Sequence, residues 1–534
     1  MELQSSMKAP NLGRKKTNGD GSHSRYFSFG IAIAFLIGVS IYAKIMLGAQ
    51  AGVGFVVVAA AIGAYMAMNI GANDVANNVG PAVGSGALTL GGALVIAGVF
   101  EAMGAIIAGG EVVGTIRSGI IDPNLIDSPQ TFMWVMMAAL LAAALWINMA
   151  TSVGAPVSTT HSIVGAVAGA GIASSGFAIA NWDVIGRIVM SWVVSPVMGG
   201  VIAAGLLYLI KRSITYQSDL VGAAKRWVPV LVAFMAAVFA IYMMLKGFSR
   251  LWKVGMGQAL VVGVVVSAGV FFFIKARLAK REGIDNSKAG VNKLFNIPLI
   301  CAAALLSFAH GSNDVANAIG PLAAIVEVLR TGGAEIARAA PIPLWVMIIG
   351  ALGLSIGLWL FGARVIRTVG SEITELDQMR AYCIAMSATV TVLIASELGL
   401  PVSTTHVCVG AVMGVGFLRE YLKTNYSRML DEIKDHHPEG DQAAIDEFMR
   451  KFAAATIAER GVMVAALKKK KDSAIVADAH LSKGERKSLR KTYRKELVKR
   501  TLVIKIAAAW VITVPCAAVM SAFLFYTIKG FMLS

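Results

Sequence analysis

Charge is scarce in these 534 residues. Only 15% are Asp, Glu, Lys or Arg, against about 25% in a soluble domain, while 57% are apolar and mean hydropathy is +0.70. That excludes a string of water-soluble globules. Cysteine is almost absent too: Cys301, Cys383, Cys408 and Cys516 all lie in apolar stretches with no CxxC spacing. Neither a disulfide framework nor a zinc site follows, and the four read as buried small hydrophobes. No cleavable leader is expected either, because residues 1–26 are polar where a secretory signal has only a short basic start. The net charge of +17 does not indicate nucleic acid as a partner. In a membrane protein, Lys and Arg collect in cytoplasmic loops.

Long hydrophobic runs are what the chain has in quantity. A hydrocarbon core about 30 Å thick needs roughly 20 apolar residues per helix. Runs of that kind are Phe27 to Met46, Phe55 to Ile70, Leu88 to Ala108, Phe132 to Ala150, Val184 to Ile210, Val230 to Leu245, Gly255 to Ile274, Ile297 to Ala309, Leu344 to Phe361, Tyr382 to Leu398 and Leu502 to Ile528. Two further segments, Pro156 to Phe177 and Pro401 to Leu418, are glycine-rich and open on proline, and they read as helical hairpin or re-entrant elements.

Two motifs occur twice. Gly71-Ala-Asn-Asp-Val-Ala-Asn77 returns as Gly311-Ser-Asn-Asp-Val-Ala-Asn317, and Pro156-Val-Ser-Thr-Thr-His161 returns as Pro401-Val-Ser-Thr-Thr-His406. The separations are nearly equal, 313 − 73 = 240 and 406 − 161 = 245, so one unit is duplicated. The N-terminal tail carries Lys8, Arg14, Lys15, Lys16 and Arg25 and is expected in the cytoplasm. The first copy then enters from outside. The second copy follows the basic stretch Lys275 to Lys293 and enters from inside. Opposite entry of two copies is the inverted-repeat plan of secondary transporters, with substrate near the midplane. Lys246, Arg250 and Lys253 fit this plan poorly, since it puts them in a short external loop.

The expected fold is an all-α polytopic membrane protein with about 12 membrane segments, two of them hairpin or re-entrant. Its parts are a basic tail (1–26), an extra helix (27–47), repeat 1 (48–211), connecting helices and a basic loop (212–295), repeat 2 (296–418), a cytoplasmic basic loop (419–500) and a last helix (501–528) ending outside. An Asp inside an apolar run costs at least about 2.5 kcal/mol at the bilayer centre, so Asp74 and Asp314 need partners. Asn73 and Asn77, with their counterparts Asn313 and Asn317, put amide oxygens beside those carboxylates, a donor set suited to a hard cation. Gly71, Gly311, Gly80-Pro81 and Gly320-Pro321 mark points where the helices can break. The proline-led motif suits a helix N-terminus, where unpaired N–H groups and the hydroxyls of Ser158, Thr159, Thr160, Ser403, Thr404 and Thr405 can hold an oxyanion. His161 and His406 follow within a turn.

These motifs resemble the PiT family of inorganic phosphate transporters over roughly residues 50 to 420. The resemblance implies a cation-coupled phosphate symporter; the oxygen donors above favour Na+ over H+ as the expected ion, and no cofactor is expected. Asp74 and Asp314 would serve both ion and phosphate, and Asn73, Asn77, Asn313 and Asn317 the cation alone. Ser158, Thr159, Thr160, Ser403, Thr404 and Thr405 would cradle phosphate. Glu101, which resembles a glutamate of eukaryotic members, would be accessory, with His161, His310 and His406. The second-half glutamate of those members falls on Ala385, and their large central loop sits here at 419–500. That loop holds Lys468 to Lys471 and the run Ser488 to Lys495, a composition suited to anionic lipid. A homodimer and a bacterial inner-membrane location are further expectations.

Three alternatives stand beside this reading. One is a sulfate permease on the same scaffold. Another is an intramembrane hydrolase using Ser158 with His161, or Ser403 with His406, although no acid in the motif orients the histidine. The third is a channel. A transition-metal site at His310 and Asp314 lacks further ligands in the sequence, and position 70 of the first copy is Ile.

Overall fold

A computed structural model describes residues 21–48, 52–152, 157–247, 254–331, 342–369, 376–435 and 500–533. The basic tail before Gly21, Gly154 and Pro156, Arg250 and Lys253, and the loop residues 436–499 with both of their basic runs lie outside the described residues. Among the described residues, fifteen α-helices carry the fold: α1 (Gly21–Leu47), α2 (Val53–Gly84), α3 (Leu90–Ala108), α4 (Gly110–Ser118), α5 (Pro129–Ser152), α6 (Thr159–Ser175), α7 (Trp182–Ile210), α8 (Leu220–Tyr242), α9 (Met256–Ala279), α10 (Lys288–Leu294), α11 (Asn296–Thr331), α12 (Leu344–Val369), α13 (Gln378–Glu397), α14 (Thr404–Asp435) and α15 (Arg500–Leu533). Eleven segments among the described residues are long and apolar enough to cross a membrane. The apolar window of α11 is 89% buried and that of α9 only 11%, so α11 is central and α9 faces outward. Cys301, expected inside, is exposed near the start of α11, where an apolar thiol meets lipid without cost.

The expected helix breaks at the Asn-Asp motifs do not occur. Both α2 and α11 run through, with Pro81 and Pro321 inside them. The glycines serve close approach instead. A Cβ on Gly71 would run into the Leu354 carbonyl of α12, and one on Gly311 into the Glu101 carbonyl of α3. Proline still has its local effect: Pro81 offers no N–H to the Asn77 carbonyl, and Cys408 Sγ lies 3.6 Å from that oxygen.

The same glycine contacts expose the internal symmetry. Gly104 meets the Phe308 carbonyl and Gly357 meets that of Met68, so Glu101 and Leu354, each three residues earlier, occupy equivalent places (104 − 101 and 357 − 354). Gly165 and Gly169 of α6 lie against the α15 carbonyls of Val514 and Ala518. Gly410 and Gly414 of α14 lie against the α7 carbonyls of Pro196 and Gly200. In each case a helix from one half packs on a helix from the other. The halves are interlocked rather than set side by side.

Loop contacts sort the helix ends. The Gln378 side chain donates to the Ser85 carbonyl, Asn286 Oδ1 accepts from the N–H groups of Leu220 and Val221, and Lys288 pairs with Asp377, so loops 85–89, 216–219, 280–287 and 376–378 share one end of the bundle. A bridge between Ile121 and Ala180 joins loops 119–128 and 176–181. Both proline-led segments give single helices, α6 and α14, whose first turns are buried.

Candidate functional site

Ser158 and Ser403 start those helices. Each serine oxygen accepts from the N–H three residues on, that of His161 at 3.1 Å and that of His406 at 3.3 Å. This is ordinary N-capping, and it aims the following hydroxyls inward. Thr159 Oγ1 lies 3.0 Å from Asp74 Oδ2 and 3.0 Å from Asp314 Oδ2. Thr405 Oγ1 donates to Asp74 Oδ1 at 3.2 Å. The side chains of Asp74, Asp314, Thr159, Thr160, Thr404 and Thr405 are all buried.

The asparagines work in two ranks. Asn77 donates across to Thr405 of α14 at 2.8 Å, and Asn317 donates across to Thr159 and Thr160 of α6 at 3.3 and 3.2 Å. Asn73 and Asn313 turn instead to the preceding helices, donating to Thr151 Oγ1 at 2.8 Å and to Ser396 Oγ at 3.0 Å. Asn313 Oδ1, Asn317 Oδ1, Asp314 Oδ1 and Thr404 Oγ1 are buried with no donor among the described residues. Buried oxygens of this kind are what a hard cation, or a protonated oxyanion, would satisfy.

Behind the carboxylates lies an asymmetric group. His310 Nε2 stands 3.8 Å from Asp74 Oδ2 and 3.6 Å from Asp314 Oδ2, and its Nδ1 is 3.1 Å from Glu101 Oε1. Glu101 also accepts from Asn78 at 2.7 Å. The lack of further ligands around His310 and Asp314 in the sequence is thereby corrected. Asp74 arrives from the other half, so that one ligand atom from each of the three residues lies within 4.8 Å of the others. His161 and His406 meet each other instead, ring centroids 4.3 Å apart, and His161 lies 3.7 Å from the Trp192 ring.

Sequence reasoning missed Asn78, Thr151 and Ser396. Thr151 and Ser396 stand at the 245-residue offset of the second motif (396 − 151), which is the signal that would have found them. It also missed how fully the segment before α14 is tied. The carbonyls of Gly399, Leu400, Pro401 and Val402 accept from Thr115, Asn313, Trp192 and Thr160, respectively.

A polytopic helical protein whose duplicated halves converge on one buried set of carboxylates, amides and hydroxyls belongs to the class of membrane transporters. The phosphate transporter family matches it over residues 70–521, and the chain belongs to that family. It is 50% identical over 501 residues to a protein of Helicobacter pylori strain J99, covering 93% of this chain and 94% of that one. It is 41% identical over 379 residues to one of Pyrococcus horikoshii, covering 70% and 91%. Both are described as a "putative phosphate permease". A solved structure titled "The sodium-dependent phosphate transporter" superposes with a TM-score of 0.71 at 31% identity, covering 89% of this chain and 99% of that one. These relatives are permeases and transporters, not enzymes.

Proposed function

We propose that this chain imports inorganic phosphate in symport with a cation, Na+ in preference to H+, by alternating access to the site between Asp74 and Asp314. The observation that carries the coupling is electrostatic. Three buried carboxylates, Asp74, Asp314 and Glu101, converge on the single imidazole of His310. Adding a phosphate dianion to that group is prohibitive until cations offset its charge. Cations therefore bind first, on the carboxylates and on the free oxygens of Asn313 and Asn317. Phosphate follows on Thr159, Thr160, Thr404 and Thr405 at the two helix N-termini. If the cations outnumber the phosphate charge, each surplus charge gains about 2.3 kcal/mol per 100 mV.

The end of the bundle bearing loops 216–219 and 280–287 faces the cytoplasm in this reading. Lys211, Arg212, Lys225, Arg226, Lys280, Arg281 and Lys288 gather in and beside those two loops, as the positive-inside bias requires. Residues 1–20 and 436–499 then lie in the cytoplasm, and the C-terminus lies outside a bacterial inner membrane.

Radiolabelled phosphate uptake into proteoliposomes under an imposed Na+ or H+ gradient tests this. Sodium-driven accumulation unaffected by excess sulfate is expected. Suppression by sulfate would move the reading to a sulfate permease, and equilibration without accumulation to a channel.

A further inference from the structure

One charge sits oddly in the topology. Lys246 lies in the π-helical turn Met243–Gly247 after α8, at the end assigned to the outside, where basic residues are unexpected. Its surroundings account for it. Lys246 Nζ is 3.2 Å from Glu111 Oε1 on α4 and 3.7 Å from Glu397 Oε1 at the end of α13. Lys246 belongs to neither sequence repeat, while Glu111 lies in the first and Glu397 in the second.

Each glutamate is connected to the site. Four residues beyond Glu111, Thr115 donates to the Gly399 carbonyl at 2.7 Å. Two residues beyond Glu397, Gly399 takes φ +65°, a left-handed turn that ends α13 and starts the segment 399–403 leading into the Thr404-Thr405 end of α14. The other end of α4 is tied differently. Arg117 pairs with Glu327 of α11 at 2.9 Å, with both side chains less than a tenth exposed. A buried pair of this kind is costly to break. The Lys246 pairs are buried only on the lysine side: Lys246 is 14% exposed, but Glu111 is 53% and Glu397 35% exposed. A pair with one half-exposed partner is weaker than a fully buried one and costs less to separate. So α4 is anchored to α11 by a fixed strut and held against the 397–399 turn by a link that can open.

We propose that Lys246 is a positioning residue for phosphate transport, clamping α4 to the 397–399 turn so that Thr404 and Thr405 are held in the closed site, and releasing it when that end opens. This deepens the transport reading above and rests on it. The phosphate-binding residues themselves are untouched by the clamp, which acts through the segment that carries them.

The test is a charge swap, read as the KM and maximal rate of phosphate uptake in proteoliposomes, with melting temperature followed in parallel. Wild-type uptake comes first, so that failure of the transport reading itself is recognised before any variant is judged. K246E and E397K are each expected to raise the phosphate KM at least fivefold, because like charges then face each other. K246E combined with E111K and E397K is expected to return it to within about twofold of wild type, both links of position 246 being restored with polarity reversed. K246R, which keeps the charge, is expected to stay near wild type. A swap no better than the singles, with melting temperatures matching wild type, overturns the proposal. If the reversals do not fold, K246M and K246R replace them: equal KM values for the two overturn it, and a raised KM confined to K246M supports it.

Discussion

Asp74 and Asp314 share one hydroxyl: Thr159 Oγ1 is 3.0 Å from an oxygen of each. A hydroxyl has a single proton to donate, so only one carboxylate is served at a time. Thr405 serves Asp74 alone. Replacing Thr159 with Val keeps the shape and removes the hydroxyl donor that the two acids share. A hydrogen bond to a charged group contributes about 1.5–3 kcal/mol, and tenfold in affinity is about 1.4 kcal/mol. Under the proposed Na+ symport, the Na+ concentration for half-maximal phosphate uptake should therefore change by tenfold or more in Thr159→Val, and by less in Thr405→Val. Equal changes in the two variants would show that sharing by Thr159 is not what couples the acids.

The pair Glu101 and His310 has an apolar counterpart. Symmetry puts Leu354 in the place of Glu101 and Ile70 in the place of His310, and both are fully buried. The fold thus accepts aliphatic side chains at these positions. Removing one member of a buried charged pair costs about 3–5 kcal/mol, because the other is left uncompensated. His310→Ile should accordingly lower the melting temperature markedly. The double variant Glu101→Leu with His310→Ile should recover at least half of that loss while transporting poorly. A double variant no more stable than His310→Ile would mean that the pair is not the unit that matters.

Close approach at the motif glycines makes a second stability prediction. Ala at Gly311 forces a methyl into the Glu101 carbonyl, and Ala at Gly71 forces one into that of Leu354. Overpacking of this kind costs about 1–3 kcal/mol. Gly38 of α1 has nothing within 4 Å of a built Cβ, so Ala there should stabilise by up to about 1 kcal/mol through helix propensity. Thermal melts of the three variants in one detergent decide it. Loss at Gly38 equal to that at Gly311 would refute the packing account.

These glycines also show what the sequence could and could not say. Length and polarity alone marked the eleven spans, and duplication marked Asp74, Asp314 and the threonines, because repetition at a fixed offset survives without coordinates. What a glycine does is not written locally. Gly71 beside Gly80-Pro81 reads as a break, and becomes a contact point only once α12 is laid against α2. His310 was named from the sequence, but what it touches was hidden for a related reason. Its partners Glu101 and Asp74 come from the other half of the chain, so the cluster has no spacing to recognise. Interlocking was hidden too, since α6 packs on a helix more than 300 residues away.

Asp377 offers a pH-dependent test in a loop just outside the membrane-spanning segment Gln378–Glu397. Its carboxylate accepts from the Arg380 N–H at 3.0 Å, capping α13, and lies 3.4 Å from both Lys288 Nζ and Arg380 Nε. Burial alone would raise this carboxyl, but Arg380, its backbone N–H and Lys288 outweigh burial and hold it below the usual carboxylate range. A group depressed on folding stabilises the native state above its unfolded pKa, about 4, and that contribution is lost as pH falls through the lower folded value. Asparagine caps a helix nearly as well as aspartate, so Asp377→Asn removes the charge and keeps the cap. At pH 7 this variant should melt below wild type, by the equivalent of about 1 kcal/mol. At pH 3 and below the gap should shrink towards zero as the wild-type carboxylate takes up its proton. A gap of constant size from pH 7 to pH 3 would show that the Asp377 charge contributes nothing and that only its shape does.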